Sequence, residues 1–435
     1  MKISLFQGIL LAVFSFAALI GIFVFATHTS NSSSTNTAIG TVVIWGTLPK
    51  ADLQQALTTL AQTDTTLSGV SYVQKNEHEL ATDLAGAIAT GAAPDLVLTS
   101  QEQLQSLTKL LTPIPSATLS AAAFTSAFIG ESRLLQVPDG SGYWGLPLVV
   151  DPLVLFSNSS ILASNGIATP PTTWESLTGL VPVVANLTST KQITRGLIAL
   201  GTYDNVHDAR GILSALFLQV GVPISLYRNG ILSVDLSGSS SSGVGIGQAA
   251  LDFYAQFADP SKLSYTWNAS LPDSQKAFLS GNLALYLGYA SEAHFLRSAN
   301  PNLDFRVTAL PQPATAADKS TYGLLYTLMI PRGAKNPSGA FAAASLFTNR
   351  AGQTAFANAT GLAPVTLTML ATTPDDPVAA VAAAEALYAR GWLSPAPEDT
   401  DAIFSSMITS VISGRLNTLT ALTTGASALS ILLQK

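Results

Sequence analysis

Residues 142–158 read Gly142-Tyr-Trp-Gly-Leu-Pro-Leu-Val-Val-Asp-Pro-Leu-Val-Leu-Phe-Ser-Asn158. The apolar run has the make-up of one strand. Pro152 removes a ladder donor and fixes its own φ, so the strand is expected to break at Asp151-Pro152. Downstream lie Ile161-Leu-Ala-Ser-Asn-Gly-Ile167, read as a short helix ending in Gly-Ile, and Pro170-Pro-Thr-Thr-Trp-Glu-Ser-Leu177.

The chain has 435 residues, enough for two domains. Apolar residues make up 48% and charged residues 11%, which excludes a disordered chain and suits a large core. The net charge of −6, with no block of like charge, argues against a nucleic-acid partner, which needs a basic stripe to neutralise phosphates. Cysteine is absent, so disulfides, thiol catalysis, thiolate metal sites and a lipidated cysteine are all excluded.

Gly8–Ala26 holds one serine and no charge over nineteen residues. About 20 apolar residues span a bilayer, whereas the apolar region of a signal peptide usually has about 7–15. Length favours an uncleaved anchor over residues 1–26. Val24-Phe25-Ala26 also offers a cleavage site, which would leave a secreted or periplasmic protein. With Lys2 inside, the rest of the chain lies outside the cytoplasm. Residues 27–37 are rich in Ser, Thr and Asn and read as a flexible stalk.

Strand and helix then alternate: strand Ala38–Trp45, helix 50–62, strand Val70–Gln74, helix Glu77–Ala89, strand Asp95–Leu98. This pace suits βαβ units and a parallel sheet. Further strands are expected at Val181–Asn186, Leu283–Leu287 (stopped by Gly288) and Gly323–Ile330. Helices are expected at Asp208–Val220, Gln248–Phe257, Ser274–Ser280, Ser338–Thr348, Val378–Arg390, Asp401–Ser413 and near Leu419–Leu433. Gly238–Gly247 is a low-complexity loop.

The order Tyr-x-Gly-Leu-Pro, apolar run, Gly-Ile, then Pro-Pro-x-Thr-Trp-Glu-x-Leu resembles the lobe crossover of extracellular solute-binding proteins. Other segments resemble the family in the same order: Ala93-Pro-Asp-Leu-Val-Leu98, Leu200-Gly-Thr-Tyr-Asp-Asn-Val206, and Tyr265-Thr-Trp-Asn268 followed by Ala277–Glu292. Asn300–Gln312 and Thr360-Gly-Leu-Ala-Pro-Val365 complete the series. The resemblance implies a two-lobed α/β fold of the periplasmic-binding-protein type II class. Lobe 1 would be 38–150 plus 323–362 and lobe 2 would be 151–322 plus 363–435. It further implies a monomeric, non-enzymatic binder that closes on a small polar solute, a sugar or oligosaccharide, for an ABC-type permease. No cofactor and no metal are expected. The alternative is a membrane-anchored surface sensor or adhesion module that kept the fold.

Hinges are expected at Pro147, Asp151, Pro152 and Pro364, where strand-terminal residues absorb a bend. Candidate ligand-binding residues are Trp45, Asp95, Asn205, Trp267, Tyr289, Ser291, Glu292 and Trp392. The aromatics lie at or near expected element ends, where cleft residues belong in open α/β sheets. Aromatic faces suit a pyranose ring and polar groups suit its hydroxyls. Each has a plainer reading. Asn205 fits an ordinary helix cap, Asp95 a turn after Pro94, and Trp45 the end of a buried strand. Trp174 is assigned to core packing, and Trp144 stays open. Gly243-Val-Gly-Ile-Gly follows a Ser-rich loop instead of a strand, which argues against a phosphate cradle. The four histidines share no metal-ligand spacing, and no G-x-S-x-G elbow occurs.

Overall fold

The computed structural model describes residues 39–238 and 245–434. The expected membrane segment and stalk, and most of the Gly238–Gly247 loop, lie outside the described residues. Among the described residues no helix is long and apolar enough to cross a membrane.

The first elements form as the hydrophobic spacing predicts. They are β1 (Val42–Gly46), α1 (Lys50–Thr63), β2 (Val70–Gln74), α2 (Leu80–Ala89) and β3 (Leu96–Ser100). Helix α1 buries Leu53, Ala56, Leu57 and Leu60, the i, i+3, i+4, i+7 stripe of an amphipathic helix. Strands β2, β1 and β3 pair in parallel in that order. Every residue of β3 is buried, as expected of a strand covered on both faces.

The next strand decides the architecture. β4 runs unbroken from Gly145 to Asn158, and all fourteen of its residues are buried. The expected break at Pro152 is therefore corrected: the chain stays extended, and what changes there is the strand beside it. Gly145–Pro152 pairs antiparallel with β8 (Thr321–Pro331), while Leu153–Ser157 pairs antiparallel with β6 (Leu283–Tyr289). A missing N–H is tolerated where one partner ends and the next begins. The Pro152 carbonyl is still used, accepting from the Ala290 N–H at 3.0 Å.

The resulting sheet is mixed, not parallel throughout. Its order is β2-β1-β3-β8-β4-β6-β5, where β5 is Ile193–Ile198 and pairs in parallel with β6, and β7 (Phe305–Thr308) pairs antiparallel with the end of β4. Strand β8 inserts antiparallel between β3 and β4. One half of the sheet carries α1, α5 (Pro337–Phe347) and α6 (Arg350–Thr360), with α6 packed on α1. The other half carries α3 (Ala209–Gln219), α4 (Ile246–Ala255), α7 (Pro397–Ile412) and α8 (Thr418–Leu432). This is a two-lobed α/β fold in which β4 and β8 belong to the join.

Three further expectations change. Val181–Asn186 is not a strand: Val181–Val184 is a helical turn with Pro182 in its first turn, a position suited to proline. Gly288 does not stop β6, which continues to Tyr289. The helix read as Val378–Arg390 ends at Ala386, and Ala389–Arg390 pairs with Thr321–Tyr322.

Buried side chains brace the join, and Gln353 serves two segments of it at once. The ladder between β4 and β8 shifts register opposite Pro147–Val149, between Tyr326 and Thr327. Gln353, fully buried on α6, donates to the Leu148 carbonyl at 2.5 Å and accepts from the Val365 N–H at 2.8 Å. A buried backbone group that loses its ladder partner must find another. Here a single amide supplies it for both the shifted strand and the returning chain, where Ala363-Pro364 pairs with Val149-Val150.

Candidate functional site

A cavity of about 470 Å³ opens between the two halves of the sheet. Ser100 at the end of β3, Glu102 just beyond it, and Leu324 and Tyr326 of β8 form one wall. Tyr289 at the end of β6, the segment Tyr203–Gly211 that starts α3, and Asp401 of α7 contribute to the other. These are carboxyl ends of strands and a helix start, where side chains and main-chain N–H groups converge in open α/β sheets. A second cavity, of about 600 Å³ and lined by Trp174, Leu216, Phe253 and Leu263, draws nothing from β1–β3 and is mostly apolar. The inter-lobe cavity combines both walls with convergent polar groups.

One ion pair crosses it. The Arg210 guanidinium donates to Glu102, which lies on the opposite wall, and to Asp401 at 3.1 Å and the Pro397 carbonyl at 2.8 Å. The Tyr322 hydroxyl donates to the other Glu102 oxygen. Burial pushes the Glu102 carboxyl above its ordinary range, and Arg210 and Tyr322 work against that push. Burial likewise opposes the charge on Arg210, but Glu102 and Asp401 more than offset it and raise its pKa. A buried pair of this kind matters chiefly because neither partner can be left alone.

Other lining groups have no such partner. The Ser100 side chain is 3% exposed and its hydroxyl makes no hydrogen bond among the described residues. Asp208 caps α3 with φ +57°, in the left-handed region. Its Oδ2 is buried without a hydrogen-bond partner. Burial, then the neighbouring Glu292 carboxylate, pushes the Asp208 carboxyl well up. Behind it, His207 Nε2 lies 4.0 Å from both Asp208 Oδ1 and Glu292 Oε2.

Those three side chains place potential metal ligands within 4.8 Å of one another. Glu292, however, is already committed to protein donors. Its Oε1 accepts from the Tyr289 N–H at 2.6 Å, and its Oε2 from the Tyr286 hydroxyl at 2.5 Å and from Gln275 at 2.6 Å. Gly288 makes room for this fold-back, since a Cβ there would sit 2.5 Å from Oε1.

Of the eight residues singled out from the sequence, Tyr289 lines the cavity. Ser291 and Glu292 follow it directly but turn inward. Ser291 donates to Asp151 through its N–H at 3.1 Å and its hydroxyl at 2.5 Å. Trp45, next to last in β1, is half-buried, with Lys75 Nζ 3.9 Å from its ring centre. Asp95 sits at the far end of β3 and accepts main-chain N–H groups from Val43 and Asn336. Asn205 ties its own loop to the carbonyls of Asn268 and Leu271. Trp267 and Trp392 are each 1% exposed and lie in the core, Trp392 donating to Ser214 and stacking near Phe404. Trp174, read as a packing residue, is buried and donates to Gln219. Among the hinge residues, Asp151 is buried, and burial pushes its carboxyl up to about 7 against the Ser291 hydrogen bonds.

Ser100, Glu102, Tyr203, Asp208, Arg210 and Tyr326 were not picked out from the sequence. Glu102 and Arg210 lie 108 positions apart, and no local pattern couples them.

The same architecture occurs in solved structures. A cyclo/maltodextrin-binding protein complexed with maltotetraose superposes with a TM-score of 0.70 at 16% identity, covering 93% of this chain and 99% of that one. The cyclic α-maltosyl-1,6-maltose binding protein of Arthrobacter globiformis gives 0.74 at 15% identity, covering 90% and 98%. The GacH receptor of Streptomyces glaucescens, solved unliganded and with acarbose, gives 0.68 at 16%, covering 91% and 99%. At these identities the likeness establishes the fold alone. No curated protein sequence matches the chain. The motif order, the inter-lobe cavity and a family match over residues 42–386 converge: the chain belongs to the bacterial extracellular solute-binding proteins.

Proposed function

We propose that the protein captures a sugar or oligosaccharide outside the cytoplasm and delivers it to an ABC-type permease, without chemical conversion. The observation that carries this reading is the inter-lobe cavity, whose two walls come from the opposite halves of the shared sheet. Its size and its tyrosines suit a ring with hydroxyls on its edge and an apolar face. Family membership and the saccharide ligands of the structural relatives support the class.

In this reading Tyr289 contacts the solute, with Tyr203 and Tyr326 beside it, while Ser291 and Glu292 hold the Tyr289 loop in place. The lobes are 38–150 plus 323–362 and 151–322 plus 363–435. They move about Pro147, Asp151, Pro152 and Pro364. Residues 1–26 anchor a monomer to the membrane. The test is a thermal-shift panel of mono- and oligosaccharides, amino acids, polyamines and oxyanions. A ligand at about 100 times its Kd adds about 2.7 kcal/mol of stability, a clear shift. A saccharide hit that disappears in Tyr289→Ala upholds the reading. A hit among the other classes alone removes the sugar and keeps the capture role.

A further inference from the structure

The charges lining the cavity do not balance. Glu77, Glu102, Asp204, Asp208 and Asp401 face it, against Arg210 as the one lining cation among the described residues. Arg210 is already consumed by Glu102 and Asp401. Glu77 and Asp204 form no ion pair among the described residues; they accept only from Gln103 at 3.3 Å and Ser405 at 2.8 Å. For Asp208, the nearest positively chargeable atom is His207 Nε2, at 4.0 Å.

Two polar atoms on opposite walls are left unused. Ser100 Oγ on one wall belongs to a side chain 97% buried, and Asp208 Oδ2 on the other is inaccessible to water; neither has a hydrogen-bond partner. Burial and the Glu292 carboxylate behind it disfavour the charged form of Asp208, which a cation placed beside it would favour again. Neutral hydroxyls would satisfy hydrogen bonds but leave the excess of acidic over basic lining groups in place. A ligand cation removes both.

We propose that the captured saccharide carries a protonated amine, and that this ammonium is held by Asp208 with Ser100 on the facing wall. This rests on the saccharide reading of the cavity. Closure then supplies the counter-charge that the protein lacks. An amine and a carboxylate brought together away from water also interact more strongly than either does with a hydroxyl.

The test is isothermal titration of the full chain with the trimer of glucosamine, its fully N-acetylated counterpart, maltotriose and spermidine. The glucosamine trimer is expected to bind at least tenfold more tightly than its acetylated form. That advantage should shrink in Asp208→Asn, a near-isosteric change, and in Ser100→Ala. A second readout needs no variant: raising salt from about 50 to about 500 mM weakens the amine ligand more than maltotriose, because salt screens its charge pairing. Equal or tighter binding of the acetylated trimer or maltotriose overturns the inference and leaves the saccharide reading intact. Binding of spermidine with no saccharide overturns both, as does a folded protein that binds none of the four.

Discussion

At the residue scale, Arg210 is the side chain on which the cavity's electrostatics turn. It reaches across to Glu102 while also holding Asp401 and the Pro397 carbonyl. Arg210→Ala leaves Glu102 buried beside other carboxylates. Breaking one side of a buried pair costs about 3–5 kcal/mol, so chemical denaturation should show a loss of that order. Replacing both partners, Arg210→Met with Glu102→Leu, should recover much of it. If the double variant is no better than the single one, the cost lies in lost packing and not in the stranded charge.

Asp151 gives a second residue-scale prediction. Its folded pKa of about 7 stands above the ordinary 3.8, so the folded state holds a proton that the unfolded chain has released. That contribution to stability is full below about 4 and is lost as pH rises to about 7. Glu385, also raised to about 7 by burial, acts in the same direction. Melting temperature measured from pH 4 to pH 8 should therefore fall through this window, and less steeply in Asp151→Asn than in the parent. Equal slopes would mean that Asp151 is ionised in the folded state.

At the scale of elements, Gln353 is one of the buried side chains that brace the join. Gln353→Leu strands the Leu148 carbonyl and the Val365 N–H inside the protein. Each unsatisfied group costs about 1–3 kcal/mol, so a loss of a few kcal/mol is expected in urea unfolding. Gln353→Glu keeps the acceptor but loses the donor, and should fall between the leucine variant and the parent.

Legibility in the sequence also differs by element. The opening βαβ units were readable because each buries a periodic stripe that no distant residue alters. Val181–Asn186 was misread because four β-branched or apolar residues around a proline fit a strand as well as a helical turn. Only packing after Leu180 decides between them. The strand Gly145–Asn158 was found and its proline was noticed, but a change of neighbouring strand leaves no local mark. Tyr289 was legible as a strand end. Ser100, Asp208 and Arg210 were not, since their role exists only once β3 and α3 face each other across the cavity.

At the scale of the whole molecule, β4, β8 and the segment at Ala363-Pro364 run side by side where the two halves of the sheet meet. The Arg210–Glu102 pair links the two walls. Small-angle scattering should therefore give a larger radius of gyration for unliganded Arg210→Ala than for the unliganded parent. Identical radii would mean that other contacts between the halves, the His78–Glu398 contact at 2.5 Å among them, set their separation.

The shared sheet also sets a timetable for folding. The slot between β3 and β4 is filled by β8, which is made more than 160 residues after β4 begins. Until Pro331 has been synthesised, β3 and β4 each present a fully buried strand with an open edge, the arrangement most prone to pairing with another chain. The half of the sheet that holds β1–β3 cannot close before β8 arrives, and a truncation before Thr321 leaves β3 and β4 without the strand that lies between them.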